Sequence, residues 1–148
     1  MAGFKGQAEY SVDSKGRVAI PAKMRNDLNP AAKNTFTITR GFEQCIFLYP
    51  MDRWGEMEDE FRELNMFNQG ARAFVRTILR WADEVSLDGQ GRISIPKRLV
   101  EFAGLDGKAL IIGSLDHIEI WDPDVFDDYL NEQSSDYESL AESVMGVL

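Results

Sequence analysis

The sequence predicts an α+β protein made of two tandem β-β-α-β-β units, with further amphipathic helices around them. Three observations carry that expectation. The stretch "DSKGRVAIP" from Asp13 returns 75 residues later as "DGQGRISIP" from Asp88, with five of nine positions identical. "GFEQCIFLYP" (Gly41–Pro50) matches "SLDHIEIWDP" (Ser114–Pro123) at an offset of 73. Apolar residues around these matches fall first at strand spacing and then at helix spacing. The change of offset places two extra residues in copy one, within "NPAAKN".

In copy one, "AEYSV" and "RVAIP" read as short strands flanking a turn of Asp13, Ser14, Lys15 and Gly16. Pro21 suits the first turn of a short helix, "PAKMRNDL". "TFTITR" and "CIFLY" are rich in β-branched and aromatic residues, so two more strands are expected. Copy two repeats the order with "EVSL", a turn, "RISI", a helix "PKRLVEFA" ending at Gly104, then "ALIIG" and "IEIW". Each unit, roughly 45 residues, is too small to bury a comfortable core alone, so the two are expected to pack together or interlock.

Longer helices follow each unit. Trp54, Met57, Phe61 and Leu64 make one apolar stripe. In "ARAFVRTILRWA", Ala71, Phe74, Val75, Ile78, Leu79 and Ala82 are the expected buried face. Asp122 with Pro123 reads as a capped helix start. Ser135 with Glu138 reads as a capping box, ahead of a stripe of Tyr137, Leu140, Ala141, Val144 and Met145. Such a helix needs a surface to cover, on its own subunit or a neighbour. The organisation expected is a first unit at 7–53, a helical connector at 54–81, a second unit at 82–125 and a C-terminal helical region at 126–148.

The net charge is −9. That argues against a nucleic-acid partner only if charge is spread evenly, and it is not. Residues 1–25 hold Lys5, Lys15, Arg17, Lys23 and Arg25 against Glu9 and Asp13, a local +3. The remainder carries −12, and from Ala109 to Leu148 there are ten acids with no Lys or Arg. Screening limits a charge to about 10 Å of reach at moderate salt, so a basic face can coexist with an acidic back. The apolar runs "CIFLY" and "ALII" are far short of the roughly 20 residues a membrane span needs. The stretch "MAGFKGQAEYS" lacks the apolar core of a signal peptide, and one cysteine forms no internal disulfide, so a cytoplasmic protein is expected.

The repeated loop carries the chemistry. Asp hydrogen-bonds backbone amides two residues on and fixes a turn. Gly16 and Gly91 can take positive φ. Arg17 and Arg92 then leave a stiff loop as planar forks of donors, oriented by Asp13 and Asp88. Such an arginine suits phosphate or a guanine edge, where a bidentate pair contributes roughly 1–3 kcal/mol of discrimination. Lys15 adds a phosphate-seeking charge. The plainer reading is a hairpin with an internal Asp–Arg pair, and repetition by itself shows shared architecture rather than shared binding.

Asp-x-x-Gly-Arg-hydrophobic-x-hydrophobic-Pro resembles the AbrB/SpoVT-type swapped-hairpin DNA-binding domain. Two copies, joined by a helical "ARAFVR" segment and with "TRGFEQCIFLYP" closing the first, resemble the MraZ family over nearly the whole chain. The resemblance implies swapped-hairpin units packed as a pseudo-two-fold barrel. It implies a nucleoid-associated transcriptional regulator of the bacterial division and cell-wall gene cluster, which binds repeated promoter elements in double-stranded DNA. It also implies a ring-shaped homo-oligomer, an octamer or dodecamer, that presents Asp-x-x-x-Arg loops. The implied loop residues fall on Asp13, Lys15 and Arg17, and on Asp88 and Arg92. Gln90 stands where copy one has Lys15, so weaker phosphate affinity is expected of the second loop. A ring engaging adjacent repeats would gain by effective concentration.

Other features are read more plainly. Arg72, Arg76 and Arg80 form a basic stripe, either a second DNA face or, as we favour, partners of Glu56, Asp59, Glu60 and Glu63 on the preceding helix. Cys45 aligns with Ile118 of copy two, so a buried structural thiol is expected rather than a pair with His117. One His and one Cys make no zinc site, "SKGR" and "GQGR" lack nucleotide-loop spacing, and the acids of 122–128 lack calcium-loop spacing. No cofactor, metal, membrane or small-molecule substrate is expected, and no catalytic set appears. An antitoxin-like or scaffold protein acting through a protein partner is the alternative, since AbrB-type domains also occur in antitoxins.

Overall fold

Strands pair across the two sequence copies more often than within them, and this places the loops. The computed structural model describes residues 3–146. Copy one supplies β1 (Gln7–Ser11), β2 (Arg17–Ala19), α1 (Ala22–Asn26), a 3-10 turn (Pro30–Ala32), β3 (Thr35–Arg40) and β4 (Ile46–Pro50). Helices α2 (Met51–Arg62) and α3 (Gln69–Trp81) follow. Copy two supplies β5 (Asp83–Ser86), β6 (Arg92–Ser94), α4 (Lys97–Ala103), β7 (Lys108–Gly113) and β8 (Ile118–Trp121), then α5 (Pro123–Asn131) and α6 (Tyr137–Met145). The β-β-α-β-β order is present in both copies. Val147 and Leu148, part of the expected C-terminal region, lie outside the described residues.

One antiparallel sheet runs β1-β7-β8-β4-β3-β5, and a second consists of β2 and β6 alone. Within each copy only β3–β4 and β7–β8 pair. The first strand of each copy joins the other copy, β1 on β7 and β5 on β3. The copies also meet at β4–β8 and β2–β6. Exchanging copy one for copy two reverses the order of the large sheet onto itself, so the arrangement has an approximate two-fold axis. Neither unit has a complete sheet without the other, which is the interlocking expected of two pieces this small.

The shared core follows from strand alternation. Ile46 and Leu48 of β4, with Ile118 and Ile120 of β8, point inward to meet Val18, Ile20, Ile93, Ile95 and Leu99. Phe47 and Tyr49 point the other way and form a second cluster with Trp54, Met57, Ile78 and Trp121. All of β4 is buried, which is why it reads as an unbroken apolar run. Thr39, itself buried, donates its hydroxyl to the Ile78 carbonyl at 2.9 Å and so ties α3 to β3.

Several local expectations are corrected. Pro21 stands just before the first turn of α1, as its cap residue, with φ −52° and ψ 138°. The cap of α6 is Asp136, which accepts from the Ser139 amide at 2.9 Å, not the Ser135–Glu138 box. A carboxylate is a strong acceptor there, and the helix starts one residue later than expected. Of the expected buried face of α3 only Ile78 is buried, while Phe74 and Leu79 are 39% and 44% exposed. Of the stripe expected after Pro50, Trp54 and Met57 of α2 are buried, whereas Leu64 lies past the end of α2 and is exposed. The extra residues of copy one do fall in "NPAAKN", where the 3-10 turn is followed by Lys33 and Asn34 at φ 54° and 55°.

Candidate nucleic-acid interface

Each repeated loop is built by one carboxylate. Asp13 accepts the amides of Lys15 at 3.0 Å and Arg17 at 2.8 Å with one oxygen, and the Arg17 Nε at 2.7 Å with the other. Asp88 does the same for Gln90 at 2.8 Å, Arg92 at 2.9 Å and the Arg92 Nε at 3.0 Å. Gly16 and Gly91 take φ +78° and +73°, the left-handed region the turn requires. The two loops are therefore the same device, differing only in the side chains they present.

The carboxylates are held in the charged form. The Arg17 backbone N–H pulls the Asp13 carboxyl below its ordinary range, helped by the guanidinium and the Lys15 amide. The Arg92 and Gln90 amides and the Arg92 side chain act likewise on Asp88. In both loops the carboxylate engages Nε. Among the described residues no partner holds the Nη1–Nη2 edge of Arg17 or Arg92, and the two side chains are 35% and 29% exposed. That edge has the fork geometry that suits a phosphate or the O6/N7 edge of guanine.

The small sheet sets the two arginines relative to one another. Arg17 lies opposite Ser94, Val18 opposite Ile93 and Ala19 opposite Arg92. Val18 and Ile93 point into the core, so alternation turns Arg17 and Arg92 to the same outer face. As diagonal neighbours their α-carbons stand roughly 7–8 Å apart. The loops are also cross-tied. The Ile95 amide donates to the Gly16 carbonyl at 2.9 Å and the Ile20 amide to the Gly91 carbonyl at 3.0 Å.

One asymmetry was not visible in the loops themselves. The Arg25 guanidinium lies over Gly91 and its Nε donates to the Ile20 carbonyl at 2.9 Å. Its counterpart in copy two is Val100, which lines an open cleft of about 510 Å³ beside loop one, with Lys15 and Lys97 on the same rim. Each loop thus has a second basic group nearby. The sequence signal was the Arg25/Val100 mismatch between the copies, four residues after each loop's proline.

The remaining candidates separate from this face. The Arg72–Arg76–Arg80 stripe does not pair with the acids of α2. Arg53 takes Glu56 and Glu60, Arg62 takes Asp59, and Arg72 donates to the Met66 and Phe67 carbonyls. Cys45 is fully buried, and burial, with Glu119 and Glu43 nearby, pushes its thiol up to about 12. His117 instead bridges Asp116 at 2.8 Å and Glu119 at 3.1 Å, with its ring against Phe47. Asp122 caps α5 by accepting from Asp124 and Val125, as its place before Pro123 suggested.

These features define a duplicated α+β protein whose interlocked halves present two arginine loops of equivalent geometry on one face. The family model described as "MraZ protein, putative antitoxin-like" matches residues 4–77 and again 78–146. A protein of Natranaerobius thermophilus named "Transcriptional regulator MraZ" is 42% identical over 142 residues, covering 96% of each chain. One of the same name from Moorella thermoacetica is 41% identical, again covering 96% of each chain. The chain belongs to the MraZ family, and these relatives carry the name of a regulator and not of an enzyme.

Proposed function

We propose that this chain is a sequence-specific DNA-binding transcriptional regulator. The observation that carries the proposal is the pair of Asp-anchored arginines, Arg17 and Arg92, on one face with their outer edges free. Arg17 and Arg92 are the readers, and Lys15 and Gln90 are the residues at the loop tips. Asp13, Gly16, Asp88 and Gly91 shape the loops. The relatives' name supports regulation as the outcome of binding. The chain then acts in the cytoplasm on the nucleoid, at promoter repeats ahead of the division and cell-wall genes. The interlocked strands are read as a swapped-hairpin barrel of units 7–53 and 82–125, joined by the connector 54–81. Copies assemble as a ring, so that loops of neighbouring subunits engage successive repeats and their phosphate contacts add.

The test is a gel-shift salt titration of the purified protein against the DNA upstream of its own gene. Binding is expected to be tight and to weaken steeply with salt. Equal affinity for scrambled DNA of the same length overturns the specificity. Arg17→Ala is expected to abolish the specific complex while leaving the oligomer intact.

One observation favours a second reading, in which the main partner is another protein. α6 keeps Tyr137, Val144 and Met145 largely exposed, and the family description includes the term antitoxin-like. A stoichiometric protein partner that co-purifies with no DNA retained would favour it.

A further inference from the structure

The two loops share one geometry, but only the second has its glycine covered. The Arg25 guanidinium lies face-on over Gly91: a β-carbon there would stand 2.6 Å from Cζ, 2.7 Å from Nε and 2.8 Å from Nη1. The Arg25 Nε donates to the Ile20 carbonyl at 2.9 Å, and Gly91 is buried. At loop one the residue in the equivalent place is Val100, 75 positions on. Gly16 is only half-buried, and the cleft of about 510 Å³ lies against it, lined by Val12, Ile95, Val100 and Leu105 among others.

The wall of this cleft repeats the wall that holds Arg25. The Ile95 amide bonds the Gly16 carbonyl as the Ile20 amide bonds the Gly91 carbonyl. The Ile95 carbonyl oxygen, equivalent to the one that accepts from Arg25, stands 2.7 Å from where a Gly16 β-carbon would be. Among the described residues no group donates to it.

We propose that this cleft binds a small molecule with a guanidinium at one end and a carboxylate at the other. The guanidinium lies on Gly16 as Arg25 lies on Gly91, and donates to the Ile95 carbonyl. A glycine lets that plane approach closely, and a planar fork suits the site where a compact ammonium does not. The ligand's methylene stem lies along Val12, Val100 and Leu105.

Five charged residues line the cleft: Asp13, Lys15, Lys97, Glu101 and Asp106. Asp13 is already engaged by Arg17. Glu101 stands where copy one has Asn26, so the copy that lacks the arginine has a carboxylate beside its place. Glu101 and Asp106 face the guanidinium, and Lys15 and Lys97 on the rim take the ligand's carboxylate. The rim lysines select a free molecule, because an arginine within a chain has no carboxylate to offer them. The cleft has the size and mixed apolar and polar lining of a small-molecule site. It needs no DNA to fill, and filling it gives Gly16 the cover that Gly91 has from Arg25.

Calorimetric titration of the purified full-length protein with L-arginine, in the absence of DNA, tests this. Saturable binding of one molecule per chain is expected, and its absence overturns the proposal. L-lysine should bind at least about tenfold more weakly, since its point charge can neither lie flat nor fork. Equal affinity for lysine overturns the guanidinium assignment. N-acetyl-arginine amide, which lacks the carboxylate, should also bind more weakly. Affinity equal to that of free arginine would make the occupant a partner's side chain and overturn the small-molecule assignment. Val100→Arg supplies the missing side chain from within and should abolish binding. Glu101→Lys, at an exposed position, is a second variant that should do the same by placing a like charge on the cleft. Wild-type affinity in either variant puts the ligand elsewhere and overturns the site.

Discussion

The guanidinium of Arg25 rests against the α-carbon of Gly91, so close that a β-carbon there would stand 2.6 Å from Cζ. In the other loop a β-carbon on Gly16 would stand 2.7 Å from the Ile95 carbonyl oxygen. Both glycines have positive φ, which costs an L-residue roughly 1–2 kcal/mol. Arg25 is a side chain and can swing away, whereas the Ile95 carbonyl belongs to a backbone hydrogen-bonded to Gly16. Gly16→Ala is therefore expected to lower the urea midpoint more than Gly91→Ala. The reverse order would mean that Arg25 holds its loop more firmly than the backbone tie holds the other.

Lys15 and Gln90 occupy equivalent places on loops of equal geometry. If both loops meet phosphate, Gln90→Lys should steepen the logarithmic salt dependence of DNA binding by about 0.9 per loop engaged. Lys15→Gln should flatten it by a similar amount. An unchanged slope for Gln90→Lys would place the second loop away from the backbone.

His117 gives the outer cluster a pH dependence. Burial pulls its imidazole down, but hydrogen bonds to Glu119 and Asp116 outweigh that and leave it above its ordinary value. A raised folded value means that the stabilisation is fully present below the ordinary value of about 6.5. It is lost as pH rises through the folded value. The charged groups bonded to the ring are Asp116 and Glu119, and Asp116 in turn takes Arg53 at 2.8 Å. Urea midpoints should fall in wild type as the pH rises above about 6.5. His117→Gln should flatten that fall, and a fall of equal size in the variant would assign it to other groups.

Cys45 should resist chemistry in the folded protein. Its thiol is fully buried and pushed up to about 12, so almost no thiolate exists at neutral pH. Iodoacetamide should label it only in denaturant. Rapid labelling of the native protein would require the strand end at Cys45 to open locally.

The repeat was legible because it is written in identical residues. Asp13 and Asp88 cap their turns through the amides two and four residues on, an interaction local enough to be inferred from spacing. The β-β-α-β-β order and the cap at Asp122 followed from the same kind of short-range pattern, and the buried thiol of Cys45 from its alignment with Ile118 of the other copy. Helix faces were less legible. The stripe on α3 is apolar whether a sheet or a second copy covers it, so the sequence could not tell that only Ile78 faces inward. The expected partners of Arg72, Arg76 and Arg80 are taken for a related reason: Arg53, on α2 with those acids, already holds Glu56 and Glu60.

By itself, then, the sequence determined two copies, two arginine loops and the strand and helix character of each segment. All of these depend on contacts a few residues apart. Only the tertiary structure decided that β1 and β5 change places between the copies, and that Arg17 and Arg92 share one outer face. It alone brought Arg25 over the second loop's glycine. Pairing between strands roughly 45 to 105 residues apart is selected by burying one common core, in which both copies' isoleucines meet. No local spacing encodes that choice, because either copy's strand would satisfy the same hydrogen bonds.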